Sequence, residues 1–143
     1  MDKVFPDKYI RKALYDLLDG IEVDDNTIRI YDTRVTGVDI PNHYILMTTQ
    51  TAEVDNFNKC EHAWDSTIVL DITTTYQRPG NPGSRLLLDD ITEEVRFELE
   101  DYLTLGGGLE VIDQDISFPG DIPTITQNEI VYRRILRLSL KIK

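Results

Sequence analysis

Apolar residues recur at helical spacing in "PDKYIRKALYDLLDG": Tyr9, Ile10, Ala13, Leu14, Leu17 and Leu18 form one face. The pattern predicts a first helix, with Asp7 placed to cap its start and Gly20 to close its end. In "NTIRIYDT", Ile28 and Ile30 alternate with Arg29 and Tyr31, the period of a short strand. "VTGVDIPNH" carries Gly37 and Pro41 and reads as a connection, and "YILMTTQTAEV" is β-branched and aromatic enough for a second strand. The alternation is clearest in "STIVLDITTTYQ". Ile68, Leu70, Ile72, Thr74 and Tyr76 share one face, while Val69, Asp71, Thr73, Thr75 and Gln77 share the other. One face is therefore expected to pack on a core and the other to be largely wet.

"RPGNPGS" breaks the chain, and Leu88, Ile91, Val95, Leu99, Tyr102 and Leu103 then mark a second amphipathic helix, starting at Ser84 or Asp90. Gly106, Gly107 and Gly108 follow that helix. A phosphate cradle needs glycines before a helix, where free N–H groups point outward, so this run reads as a helix end. "LEVIDQDISF" is a fourth strand whose apolar parity changes between Val111 and Ile112, the mark of a bulge. "PGDIPTITQNE" reads as a loop. In the closing "IVYRRILRLSLKIK", Leu136, Leu138, Leu140 and Ile142 alternate with Arg137, Ser139, Lys141 and Lys143. The whole predicts one α+β domain over residues 1–143: two helices on one face of a mostly antiparallel sheet of about five strands, in the order α-β-β-β-α-β-β.

Charge changes this picture in one respect. The net charge is −11, which argues against a general nucleic-acid binder. The charge is also uneven. Between Asp89 and Asp121 Arg96 is the single base, whereas residues 133–143 hold five bases and no acid. Such runs ordinarily mark solvated faces, but an acidic helix on one copy and a cationic strand on another would also attract. One cysteine rules out an internal disulfide, no apolar run approaches the ~20 residues that span a bilayer, and the N-terminus lacks a signal-peptide pattern. A cytosolic, soluble protein with no membrane contact is expected.

Candidate chemistry is sparse. Cys60 and His62 stand two apart, and with His43 and a carboxylate they would make an unusual metal site. Structural zinc normally takes two spaced ligand pairs, and a Cys–His nucleophile pair has no orienting third group here. The acidic pairs Asp24-Asp25, Asp89-Asp90, Glu93-Glu94 and Glu100-Asp101, and Asp113 with Asp115, lie where solvated charge is normal. No Walker, G-x-S-x-G or H-E-x-x-H pattern occurs. The expectation is a protein that is not an enzyme and takes no cofactor. "KCEHAW" then reads as an interaction loop feeding a central strand.

The segments "IRKALYDLLDG", "IRIYD", "STIVLDITTTYQ" and "LLLDDITEEVRFEL", with the closing strand pair, resemble in order and length the tail-terminator (tail-completion) family of tailed bacteriophages. Nearly the whole chain is covered, though no catalytic motif anchors the likeness. The resemblance implies a structural virion protein of the neck or tail, made in the host cytoplasm. Such a subunit would form a ring of six or twelve copies against connector, adaptor or tail-tube proteins, and genome DNA would pass without sequence-specific binding. It further implies subunit or partner contacts at Phe57 and Trp64, in a loop over residues 52–64, and in a second loop over residues 119–129; Trp64 simply capping the core is the alternative of equal weight. Arg134, Arg137 and Lys141 would meet a neighbour's acidic helix, and the face of Asp71, Thr73, Thr75 and Gln77 would be lumenal or wet. The alternatives are a small cytosolic protein-binding adaptor domain and, less favoured by the residues, a metal-dependent enzyme using the Cys60/His62 region.

Overall fold

The computed structural model describes residues 4–35, 41–55, 63–80 and 83–143. Its elements are α1 (Asp7–Leu18), β1 (Ile21–Val23), β2 (Asn26–Asp32), β3 (His43–Asp55), β4 (Ala63–Gln77), α2 (Leu86–Glu98), β5 (Val111–Ile125) and β6 (Glu129–Ile142). The fold is α+β, and the six strands form one mixed sheet in the order β1-β2-β3-β4-β6-β5.

β4 sits near the centre, antiparallel to β3 on one side and to β6 on the other. Its even-numbered residues behave as the alternation requires. Ile68, Leu70 and Ile72 are buried opposite Leu138, Leu136 and Arg134 of β6. Ile10, Leu14 and Leu18 of α1, with Leu88, Ile91 and Val95 of α2, complete one continuous core with them. α1 packs on β2 and β3, and α2 on β4 and β6.

Helix ends depart from the sequence reading in detail. Asp7 is the first helical residue of α1 and makes no cap; Pro6 precedes it, and the Asp7 Oδ1 atom is buried without a partner. Burial pushes the Asp7 carboxyl above its ordinary range. Gly20 does adopt φ +82° after the helix, where a residue with a Cβ is strained. α2 begins at Leu86, preceded by Arg85 without a side-chain cap; the Ser84 hydroxyl accepts a hydrogen bond from the Leu86 N–H at 3.1 Å, so the entry lies next to Ser84 and not at Asp90.

Three features of the sheet correct the sequence expectation. The sheet has six strands rather than five, because β1 is only three residues long and joins β2 through Asp24 and Asp25, both at positive φ. β2 pairs with β3 in parallel, from Arg29 beside Tyr44 to Asp32 beside Met47. Third, the segment expected to be a loop over residues 119–129 is mostly strand: β5 continues to Ile125 and pairs along β6. Prolines are tolerated on an edge strand, where a missing N–H costs no ladder bond; Pro119 falls in a register shift between Ser117 and Gly120, and Pro123 pairs with Tyr132. The bulge read from the parity change at Val111 and Ile112 is present, as a register shift between Val111 and Asp113.

The glycine run after α2 has a packing role. Gly107 sits at φ +68°, and a Cβ there would lie 2.6 Å from the Tyr9 ring of α1. Only a residue without a side chain lets this loop close against α1.

Candidate interaction surfaces

The two arginines that open the cationic strand go to opposite faces of the sheet, because successive residues of a strand alternate. Arg134 points toward α2. Its Nε and Nη2 donate to the two carboxylate oxygens of Asp121 at 2.8 and 2.9 Å, and its Nη1 donates to Asp89 Oδ1 at 2.7 Å and to Thr92 Oγ1 at 3.2 Å. One guanidinium thus ties β6 to the edge strand β5 and to the first turn of α2. These hydrogen bonds hold the Asp121 carboxyl below its usual range and push the Arg134 guanidinium up. Only 16% of the Arg134 side chain is exposed. Arg134, expected at a neighbour's acidic helix, meets the acidic helix α2 of its own chain.

Arg133 points to the other face. Its Nε donates to Asp71 Oδ2 at 3.0 Å, a second arm donates to the same oxygen, and the Thr73 hydroxyl donates to Asp71 Oδ1 at 3.1 Å. Asp71 and Thr73 are each only 2% exposed, so the face expected to be largely wet is dry at its centre. In register around this pair stand Tyr44, Leu46 and Ile135, all half-buried, and Tyr44 packs edge-to-face on Tyr31 at 6.2 Å. Toward the other end the same face turns polar. Glu53, Asp65, Lys141 and Asp113 form one row across four strands. Lys141 therefore stands between two acids of its own chain, while Arg137 is exposed.

Of the remaining expected contact residues, Trp64 lies on β4 rather than in a loop. It packs partly buried against the core and edge-to-face on Phe5 at 5.5 Å. Residues 52–55 and 63–64 belong to β3 and β4, so the expected loop is shorter than residues 52–64. Phe57, Cys60 and His62 lie outside the described residues. His43 pairs with Thr74, eleven positions along β4 from Ala63. That is about 35 Å at ordinary strand rise. Burial lowers the basicity of His43, whose ring lies 5.6 Å from that of Tyr76. Among the described residues no group of three or more His, Cys, Asp or Glu side chains is arranged to hold a metal ion. Also among them, no helix is long and apolar enough to cross a membrane.

The surface that sequence reasoning missed lies between α2 and the edge strand β5. A groove of about 490 Å³ runs there, with Phe97 on the helix wall and Ile116 and Phe118 on the strand wall. Phe97 is 67% exposed and Phe118 41%. Glu93, Glu100 and Asp115 rim the groove, and the one cation among its lining residues, Arg96, is engaged with Glu93 at 2.8 Å. Phe97 and Glu100 also line a second groove of about 540 Å³, between the C-terminal ends of α1 and α2, where Asp16, Glu98 and Asp101 add further acids.

Gln114 fixes the strand wall. Its carbonyl accepts from the Leu103 N–H at 2.9 Å, and its amide donates to the Leu99 and Asp101 carbonyls at 2.8 and 3.2 Å. The signal for this surface was present as Phe97 on the polar side of the α2 pattern. Its strand partner was not readable, because β5 carries its apolar residues through a bulge and two prolines.

Known families offer no guide to these surfaces: no family model matches the chain, and no curated protein matches it significantly.

Proposed function

We propose that this protein is a structural ring subunit of a bacteriophage neck or tail end, joining head connector to tail and letting DNA pass through the ring. One observation carries the reading. The sheet ends on one side in a fifteen-residue strand, β5, along which Phe118, Ile122 and Ile125 are exposed, while its other end is the three-residue β1. A long exposed apolar edge is a liability in a monomer and a docking rail in an assembly. The charge of −11 supports passage of DNA without adhesion. The elements that carry the resemblance to tail-terminator proteins, two helices over a sheet closed by a long strand pair, support the same reading.

Native mass spectrometry of chelator-free protein over a range of concentrations tests it. A discrete closed oligomer of six or twelve copies, without added metal mass, is the expected result. A monomer carrying a stoichiometric metal would move the assignment to an enzyme. A defined one-to-one complex with a single host protein and no ring would move it to an adaptor domain.

A further inference from the structure

The exposed cations of the chain differ in what surrounds them. Among the described residues, Arg29, Arg85 and Arg96 each lie within ion-pair distance of a carboxylate. At the start of α1, Lys8 and Lys12 lie on one exposed helical side, and the chain just before them carries Val4 and Phe5, 37% and 56% exposed. This lead is cationic and apolar at once. Lys8 lies over the Tyr9 ring, and Lys12 meets Asp16 at 3.5 Å with both side chains largely exposed, a contact of small net value. The groove between α2 and β5 is the opposite in charge and alike in greasiness: Phe97, Ile116 and Phe118 line it, and Glu93, Glu100 and Asp115 rim it.

We propose that the groove between α2 and β5 receives the lead of α1, residues 4–12, from a second copy of this chain. The inference rests on the ring reading and names the interface that would build the ring. Phe5 supplies the aromatic anchor against Phe97 and Phe118, and aromatic anchors in apolar pockets dominate interface energetics. Lys8 and Lys12 meet Glu93 and Glu100 at the rim, where charge governs orientation and encounter more than affinity. The donor and acceptor are different surfaces, so the contact is heterologous. Repeated, it generates a ring when the rotation closes and a filament when it does not. Pairing of two β5 edges is the competing homotypic contact, and in it the carboxylates of Asp113, Asp115 and Asp121 would add like charge on both sides.

Two measurements on the full chain test the proposal. In the first, sedimentation velocity compares wild type with Lys8→Glu/Lys12→Glu, with Glu93→Lys/Glu100→Lys, and with all four changes together. Each pair alone is expected to weaken association on the order of tenfold or more, and the fourfold variant to recover it, because the attraction is restored with its signs exchanged. These side chains are largely exposed, so a circular dichroism melt near that of wild type shows that the fold is retained.

In the second, Lys8→Cys and Glu100→Cys chains, both in a Cys60→Ser background, are mixed under mild oxidation with diamide. Disulfide-linked pairs joining one chain of each kind are expected well above pairs of like chains. An oligomer that survives all charge changes, with no mixed pair, overturns this interface and leaves the ring reading standing. A monomer at every concentration, again with no mixed pair, overturns both.

Discussion

Arg133 and Arg134 are neighbours in sequence with opposite assignments, and the contrast shows how this sheet uses charge. Arg134 joins three elements through partners that water still reaches: the side chains of Asp121 and Asp89 are 28% and 54% exposed. Arg133 serves one partner, Asp71, whose side chain is 3% exposed in the middle of a β-sheet face. The first is a brace among partly wet groups. The second neutralises a charge that has nowhere else to go. The Arg133 side chain is itself 40% exposed, so only the carboxylate is buried; removing the arginine is costly because that buried charge is left uncompensated.

The largest expected effect follows from that asymmetry. Arg133→Leu leaves the Asp71 carboxylate with only the Thr73 hydroxyl, and urea unfolding is expected to show a loss of about 2–4 kcal/mol. The double variant Asp71→Leu/Arg133→Leu removes both charges and is expected to recover most of that loss. If the double variant is as unstable as the single one, the pair is holding geometry rather than compensating charge, and the contrast with Arg134 collapses.

Arg134→Ala comes next, at about 1–3 kcal/mol, since its hydrogen bonds to charged groups are lost but the freed carboxylates remain partly solvated. This brace also has a pH signature. The folded-state pKa of Asp121 is depressed below its unfolded value. Its contribution is therefore fully present above the unfolded pKa, near 4, and is lost as pH falls through the lower folded value. Asp121→Asn is expected to lose stability at pH 7 and to converge on wild type as the pH is lowered through that window. Parallel curves at all pH values would remove Asp121 from the brace.

The smallest effect is expected at Arg137, exposed on the same strand. Arg137→Ala should change unfolding free energy by less than about 0.5 kcal/mol. A larger loss would show that the polar end of that face is structured like its centre.

Much of this layout was legible in the amino-acid pattern, where local period and burial coincide. Both helices are evident in the spacing of Ile10, Leu14, Leu18 and of Leu88, Ile91, Val95. β4 and β6 follow from strict alternation, and the bulge near Val111 from a break in it. Features that depend on partners far along the chain were not legible. The parallel pairing of β2 with β3 is one of them, since periodicity is silent on strand direction. The strand character of residues 119–125 is hidden by prolines that only an edge position tolerates. The burial of Asp71 depends on Arg133, sixty-two residues later, and no local rule for a polar strand position anticipates it. The groove was obscured for the same reason, since Phe97 becomes half of a site only when Phe118 is brought opposite.

The contact of Tyr9 with Gly107 bears on the order in which the molecule comes together. The Tyr9 ring of α1 is seated by a loop almost one hundred residues downstream. β4 likewise needs β6, far later in the chain, before both of its edges are paired. Native contacts of such long sequence separation slow the search for the folded state. Until those contacts form, apolar surface that the native state covers stays exposed, the condition in which chaperones bind and premature association of chains begins.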